Sequence, residues 1–384
     1  MSLVIEQFQA QISHAAARQG QTLSIQGGNS KAFYGTATHS DAVLDTRAHS
    51  GIDSYEPSEL VVTVRCGTPL AELEAVLAEQ GQCLAFEPPH FSFNDKSSAT
   101  VGGMVACGLA GPARAVAGGV RDHVLGVKML NGKGEWLTFG GQVMKNVAGY
   151  DVSRVLAGSM GSLGVLTDVS LKVLPQAPAE VTLACQLPQA EALALLHRWG
   201  AQPLPLNASC WVHDTTAHPA QAMLFVRLRG AVAAVESALP RMCADVVALG
   251  GQASAMAQTQ AVADWSACRD QRLPFFSPPA PDMALWRLSL PQTTPVLDLP
   301  CAPLIEWHGA LRWLWAPLSA ANELRAIAAQ VGGYATLFRA PQNAVDDLPA
   351  VFSPLPAAQQ RIQRELQKQF DPHGVFNTGR LGLS

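Results

Sequence analysis

Three glycine-rich stretches in the first half of the chain carry backbone groups that could face a ligand. The first, residues 24–35, reads SIQGGNSKAFYG, an apolar strand end running into Gly27, Gly28, Asn29, Ser30 and Lys31. Such a turn can adopt the positive φ angles that aim consecutive N–H groups at an anion, and Ser30 and Lys31 add a donor and a charge, so a diphosphate fits; an ordinary tight turn has the same composition. The spacing is neither GxGxxG opening a helix nor a P-loop, which excludes both of those phosphate-binding readings. The second stretch, residues 97–120, reads SSATVGGMVACGLAGPARAVAGGV, where Gly102, Gly103 and Ala106 would let a backbone lie flat against an extended ligand or pack one helix closely through small residues. In the third, residues 155–173 (VLAGSMGSLGVLTDVSLKV), Gly158, Gly161 and Gly164 deliver backbone groups to the start of a strand.

In the second half the residues able to do chemistry are sparser. His197, His213, His218 and His308 are its histidines before the C-terminal segment, and the i, i+5 spacing of His213 and His218 is poor for a metal on one helix face. His308 lies in IEWHGALRWL with Arg312 four residues on, so an imidazole base and a guanidinium that could hold a small carboxylate share one segment; a cluster of core aromatics is the competing reading. Eight cysteines are spread with no CxxC pair, which excludes iron–sulfur and zinc sites built on that motif and suits reduced thiols of a cytosolic protein.

These residues need elements to hold them. Glu59 to Arg65 reads as a β-branched strand, followed by Thr68 as N-cap, Pro69 at the first helical position, an apolar stripe at Leu70, Leu73, Val76 and Leu77, and Gly81 as the stop. Asn131-Gly132 marks a hairpin turn. Residues 190–199 and 320–330 have helical periodicity, and 222–228 reads as a strand. Alternating strand and helix signals in the first half suggest α/β or α+β layering. Of 32 glycines, 22 fall at or before Val173, whereas seven of the eight tryptophans follow it, and the prolines of LKVLPQAP (171–178) mark an exit; the boundary falls near residue 176. The expected organisation is 1–176, 177–350 and a C-terminal segment 351–384. With 48% hydrophobic and 15% charged residues the chain is globular, and a net charge of −4 excludes a nucleic-acid partner. The N-terminus lacks the basic start and apolar core of a signal peptide, and no apolar run is long enough to span a bilayer, so membrane contact would be peripheral.

The ordered set GGNSKAFYG, Pro88-Pro89, ATVGGMVA, GGVRDHVLG, KNVAGYD and GSMGSLGVLTDVSLKVLP resembles the FAD-binding domain of the vanillyl-alcohol-oxidase (PCMH-type) flavoproteins. Within that superfamily it is most similar to the D-2-hydroxyacid dehydrogenases and the FAD-binding subunits of bacterial glycolate oxidase. FDPHGVFNTGRL (370–381) resembles the tail of the same group, with Thr378 where proline is usual. The resemblance implies the fold class α+β, with a two-subdomain FAD-binding domain followed by an α+β cap. It makes Gly27, Gly28, Asn29, Ser30 and Lys31 the pyrophosphate loop, with Pro89 beside it. Thr100, Val101, Gly102, Gly103 and Ala106 become a second wall; Gly161, Gly164, Val165 and Thr167 approach the cofactor by main chain, and Asn377 closes the site. Relatives that attach FAD covalently do so through a histidine in the first loop; none stands there, so FAD is expected to be noncovalent.

Hydroxyacid dehydrogenases of this group place a metal and a base in an HxGDGNxH-like segment, which this chain lacks, so no metal is expected. The functional expectation is an FAD-binding subunit of a glycolate oxidase complex. It would oxidise glycolate to glyoxylate, pass electrons to a larger FAD-containing subunit and an iron–sulfur subunit, and be cytoplasmic, at most peripheral to the inner membrane. The alternative is a self-sufficient FAD-dependent D-2-hydroxyacid (D-lactate) dehydrogenase with His308 as base and Arg312 as carboxylate clamp. Residues 173–367 contain no lysine but twelve arginines and seven tryptophans, a composition that suits a protein–protein interface or a bias toward Arg and Ala codons.

Overall fold

The computed structural model describes residues 2–18, 20–91, 98–142, 150–343 and 348–382. Most of the KNVAGYD segment therefore lies outside the described residues. The chain divides into two compact units, one formed by 1–110, 118–176 and 354–384, the other by 111–117 and 177–353.

In the first unit, Ser2 caps the helix Leu3–Ala17, accepting from Ile5 N–H at 3.4 Å, and the stripe Ile5, Phe8, Ile12 and Ala15 is buried against Leu23, Leu44, Val165 and Phe376. That stripe recurs every three or four residues, the spacing that puts side chains on one helical face. Leu23–Gln26 pairs in parallel with Ala42–Asp45, and Leu23 also bridges in parallel to Phe376, so the C-terminal tail lies along the strand that feeds the first glycine loop. A five-stranded antiparallel sheet runs in the order Ile52–Glu56, Val61–Arg65, Val165–Lys172, Val124–Leu130, Trp136–Gly140. Its middle strand is buried from Val165 to Leu171, Thr167, Asp168 and Ser170 included.

The helix Leu70–Glu79 buries Leu70, Leu73 and Leu77, while Val76 is half-buried. It begins one residue after Pro69, and Thr68 does not cap it. The Thr68 hydroxyl donates to the Arg65 carbonyl at 2.6 Å and accepts from Gly51 N–H at 2.9 Å, which closes the strand-to-helix turn instead. The hairpin after Leu130 forms around a longer loop than a two-residue turn: Leu130 pairs with Trp136, Asn131 Oδ1 accepts from Lys133 and Glu135 N–H, and the positive φ falls at Gly134.

The second unit is an eight-stranded antiparallel sheet in the order Gln252–Ala255, Ala179–Gln186, Gln221–Gly230, Leu206–Asp214, Leu304–Glu306, Leu311–Pro317, Met283–Ser289, Tyr334–Arg339. Helices Gln189–Gly200 and Val232–Ala248 bury their apolar residues in one core with Leu183, Leu224 and Ile305, and Ala321–Gln330 buries its own with Trp286 and Leu314. The helix Gln258–Arg269 is tied to the sheet by Trp265 Nε1, which donates to Thr182 Oγ1 at 2.9 Å. Among the described residues no helix is long and apolar enough to cross a membrane.

Candidate functional site

The first unit brings its glycine clusters and the tail around one cleft, lined among others by Gly27, Gly28, Asn29, Ser30, Lys31, Thr100, Gly102, Gly103, Ala106, Gly161, Gly164 and Asn377. The first loop leaves the strand Leu23–Gln26 and turns at Asn29, whose φ is 61° and whose carbonyl accepts from Ala32 N–H. Gly27 and Gly28 do not use positive φ. They are glycine for space: a Cβ on Gly27 would lie 2.3 Å from Thr100 Oγ1, and one on Gly28 would lie 1.2 Å from the Ser98 carbonyl oxygen. The first loop therefore packs directly on the start of the second cluster. Ser30 and Lys31 are both buried, Lys31 Nζ donates to Ser30 Oγ at 3.3 Å and lies 5.7 Å from the Phe91 ring centre.

Thr100 caps the helix Val101–Cys107 by accepting from Gly103 N–H, and Gly108, at φ 63°, ends it. The two glycines of this helix do different things. A Cβ on Gly102 would press on Cys66 at 2.8 Å, so Gly102 permits the packing of helix on strand, whereas one on Gly103 would meet only Thr100 Oγ1, at 3.2 Å. Gly102 therefore serves close packing, and Gly103 leaves open space in the cleft wall. In the third cluster Met160, Gly161 and Gly164 have φ of 52°, 74° and 146°, and a Cβ on Gly164 would strike the Leu130 carbonyl at 2.4 Å. The tail locks these parts together. Asn377 Nδ2 donates to Met160 O at 2.7 Å and its Oδ1 accepts from Ile25 N–H at 3.0 Å. Arg380 donates to the carbonyls of Ala32 and Tyr34 at 2.6 and 2.7 Å.

Four expected residues do not line this cleft. Pro89 is buried between Glu87 and Phe91, both at positive φ; Val101 and Val165 are packed in apolar cores; and the Thr167 hydroxyl donates to Lys128 O and accepts from Trp136 Nε1. Conversely, Tyr34, Thr46, Cys107 and Arg380 line it and were not expected to. Arg380 is a cation inside the FNTGRL tail, which is a usable signal; Thr46, whose hydroxyl donates to Gln26 O, offers none.

The second unit places His308 in an unusual turn. Trp307, His308 and Gly309 have successive φ values of 53°, 57° and 107°, linking the strands that pair Glu306 with Leu311. Side chains rarely adopt this region, so the surroundings must hold it. Ser209 Oγ contacts both His308 N–H, at 3.0 Å, and Nδ1, at 2.9 Å, while Trp307 Nε1 donates to Gly111 O and Arg114 stacks 4.6 Å over the Trp307 ring. Burial holds the His308 imidazole down at about 4, and Nε2 is buried without a partner. Arg312 is fully buried and lowered to about 10 by the same desolvation; it donates to the carbonyls of Thr294 and Pro295, and its Nε and Nη1 are unpartnered. No hydrogen bond joins His308 to Arg312, and each is held by a different element. His197 is bonded to Gln292 O at 2.7 Å. Among the described residues no group of three or more His, Cys, Asp or Glu could hold a metal ion.

The cleft fits an extended, anionic dinucleotide, with space where side chains would otherwise stand and two cations, the buried Lys31 and the half-buried Arg380. The family model of the FAD binding domain matches residues 6–140. The chain is 45% identical over 359 residues to the glycolate oxidase subunit GlcE of Escherichia coli (strain K12), covering 94% of this chain and 92% of that one. It is 29% identical over 160 residues to the glycolate oxidase subunit GlcD of Bacillus subtilis (strain 168), covering 41% and 32%. The solved structure of alkyldihydroxyacetonephosphate synthase has the same fold, with a TM-score of 0.68 at 14% identity over 97% of this chain and 75% of that one. The family model and the oxidase-subunit relatives, on this fold, define an FAD-binding flavoprotein of the oxidoreductase class. The chain belongs to the family of the glycolate oxidase subunit GlcE.

Proposed function

We propose that this chain is the FAD-binding subunit of a glycolate oxidase complex that converts glycolate to glyoxylate and hands the electrons to a larger FAD-containing subunit and an iron–sulfur subunit. The observation that carries this is the near full-length similarity to GlcE. In this reading Gly27, Gly28, Asn29, Ser30 and Lys31 hold the pyrophosphate, Gly103 and Ala106 leave room for the body of the cofactor, and Asn377 and Arg380 keep the loop and tail closed. FAD, when bound, supplies a two-electron acceptor for the hydride that leaves the α-carbon of the substrate. The protein's share is to bind the cofactor noncovalently, exclude water from it, and dock on the subunit that supplies what this chain lacks. All eight cysteines are free and dispersed, so an iron–sulfur relay belongs on a partner. The complex is cytoplasmic in this reading, and reaches the inner membrane only through its partners.

One observation favours a second reading, a self-sufficient D-2-hydroxyacid dehydrogenase. His308 is neutral and has an unpartnered Nε2, as a base for the hydroxyl proton requires, and Arg312 keeps two unused donors that could take a carboxylate. Anaerobic addition of glycolate, with flavin bleaching followed in the isolated chain and in the assembled complex, separates the two. Slow bleaching of the isolated chain and fast bleaching of the complex supports the subunit reading, since a missing general base typically costs about 10²–10⁴-fold. Equal rates, lost in His308→Ala, establish the second.

A further inference from the structure

The second unit contains a cavity of about 480 Å³ between the helix Gln258–Arg269 and the sheet, well away in sequence from the glycine clusters. Its walls include Phe225, Met256, Trp265, Phe275 and Leu304. The polar groups of its floor are already used within the chain: Trp265 Nε1 donates to Thr182, and Cys268 Sγ donates to Glu306 Oε1 at 3.3 Å. The hydrogen bond with Cys210, then burial and the neighbouring Glu306, push the Cys268 thiol well up, so the thiol stays protonated and unreactive.

The remaining lining includes two carboxylates, Asp214 and Asp264, beside His213, and the Arg227 guanidinium stacks 5.0 Å over the ring of the wall residue Trp265. Asp214 Oδ1 accepts from Thr216 N–H and its hydroxyl, and Asp264 Oδ1 accepts from Gln260, but neither carboxylate has a lysine or arginine within 4 Å among the described residues, and none lines the cavity. Two unneutralised carboxylates beside an apolar hollow repel a small carboxylic acid, so this is not a place for a 2-hydroxy acid. They favour an apolar group with a positive charge beside it.

We propose that this cavity receives an apolar side chain flanked by a lysine or arginine, presented by a partner subunit of the oxidase complex. The inference rests on the reading of this chain as a subunit of such a complex. An apolar anchor seated in a desolvated pocket, with complementary charge at the rim, is the usual form of an interface hot spot. Among the described residues no lysine or arginine of this chain lines the cavity, so the cationic half of the contact falls to the partner.

The test uses the FAD-loaded full-length chain and its two partner subunits purified together, with the dissociation constant measured at low and at high salt. Ala302→Trp fills the cavity from an exposed position on its lining, and Asp214→Asn with Asp264→Asn removes the charge without changing shape. Each variant is expected to weaken association tenfold or more at low salt, on the order of one hot-spot residue, to keep its FAD, and, for the double asparagine variant, to lose most of the salt dependence. Association equal to that of the native chain, in whichever of the two variants folds, overturns the proposal. Loss of a small co-purified cation, with partner binding intact, also overturns it in favour of a small-molecule site. If the native chain itself does not bind the partner subunits, the subunit reading fails, and this inference with it.

Discussion

Asn377 reaches Met160 across more than two hundred positions of sequence, donating from Nδ2 to its carbonyl at 2.7 Å while its Oδ1 takes the N–H of Ile25. One side chain thus holds the strand that feeds the first glycine loop against the third cluster, and the absence of a Cβ on Gly161 leaves it the room, since such a carbon would lie 2.7 Å from Asn377 Nδ2. Ile25 also pairs with Leu44, and Met160 N–H donates to Ala106 O at 2.8 Å, so the amide joins two segments that are each anchored elsewhere.

Asn377→Ala removes both bonds and is expected to weaken FAD binding by about tenfold to a hundredfold, the equivalent of one or two buried hydrogen bonds at about 1–1.5 kcal/mol each. Asn377→Asp keeps the acceptor, loses the donor, and should fall between. Titration of the apoprotein with FAD, followed by quenching of flavin fluorescence, measures this; unchanged affinity in the alanine variant would show that the tail does not hold the cleft.

The glycines separate into those that serve packing and those that serve the ligand. Gly28→Ala would place a carbon 1.2 Å from the Ser98 carbonyl, and Gly102→Ala would press on Cys66, so both should lower the thermal midpoint and reduce FAD content together. Gly103→Leu meets only the Thr100 hydroxyl at its first carbon and extends toward the cleft; it should leave the melting of the apoprotein near that of the native chain while abolishing FAD binding. Stoichiometric FAD in the Gly103→Leu protein would remove that residue from the cofactor wall.

The cleft was legible because its loops are short-range features: GGNSK, TVGG and GSMGSLG each specify a turn or a small-residue contact in a few consecutive positions. What the turns do was less legible. Positive φ falls on Asn29, Met160 and Gly134, whereas Gly27 and Gly28 are set by how close residues 98–100 come, a long-range contact with no local signal. Thr68 has the right type and place for a cap, but its hydroxyl finds the Arg65 carbonyl and Gly51 first. The role of Arg312 was hardest to foresee. In sequence it stands beside two tryptophans like a ligand clamp, and only the tertiary fold reveals the Thr294 and Pro295 carbonyls that occupy it.

His308 makes the stability of the second unit depend on pH. Its folded value of about 4 is below the ordinary 6.5, so between those values the unfolded chain binds a proton that the folded chain does not. Stability contributed by the neutral imidazole is therefore fully present above about pH 6.5, declines as pH falls, and is gone below about 4, a loss of about 3 kcal/mol. Seven of the eight tryptophans lie after residue 173, so urea unfolding followed by tryptophan emission reports chiefly on this unit. His308→Gln, which cannot titrate, should flatten the acid limb of the profile by about that amount; an unchanged limb would mean that the ring is solvated and protonated at its ordinary value.

Release of FAD by acid is the last expectation, and the chemistry of the cleft argues for it. Covalent attachment requires a nucleophilic side chain that can reach the flavin, and no histidine stands in the first loop or among the residues lining the cleft. The nucleophiles that do line it are Cys107, Tyr34 and Lys31. Burial raises the Cys107 thiol in spite of the nearby Lys31 and Arg380, which lower it, so little thiolate is present at neutral pH, and it is the thiolate that attacks. Lys31 is buried, bonded to Ser30 and stacked toward Phe91, and its charge serves an anionic group better than a carbon electrophile. Precipitation with trichloroacetic acid should therefore leave a colourless pellet and all of the FAD in solution. A yellow pellet that becomes colourless in Cys107→Ser would identify a thioether and overturn the noncovalent assignment.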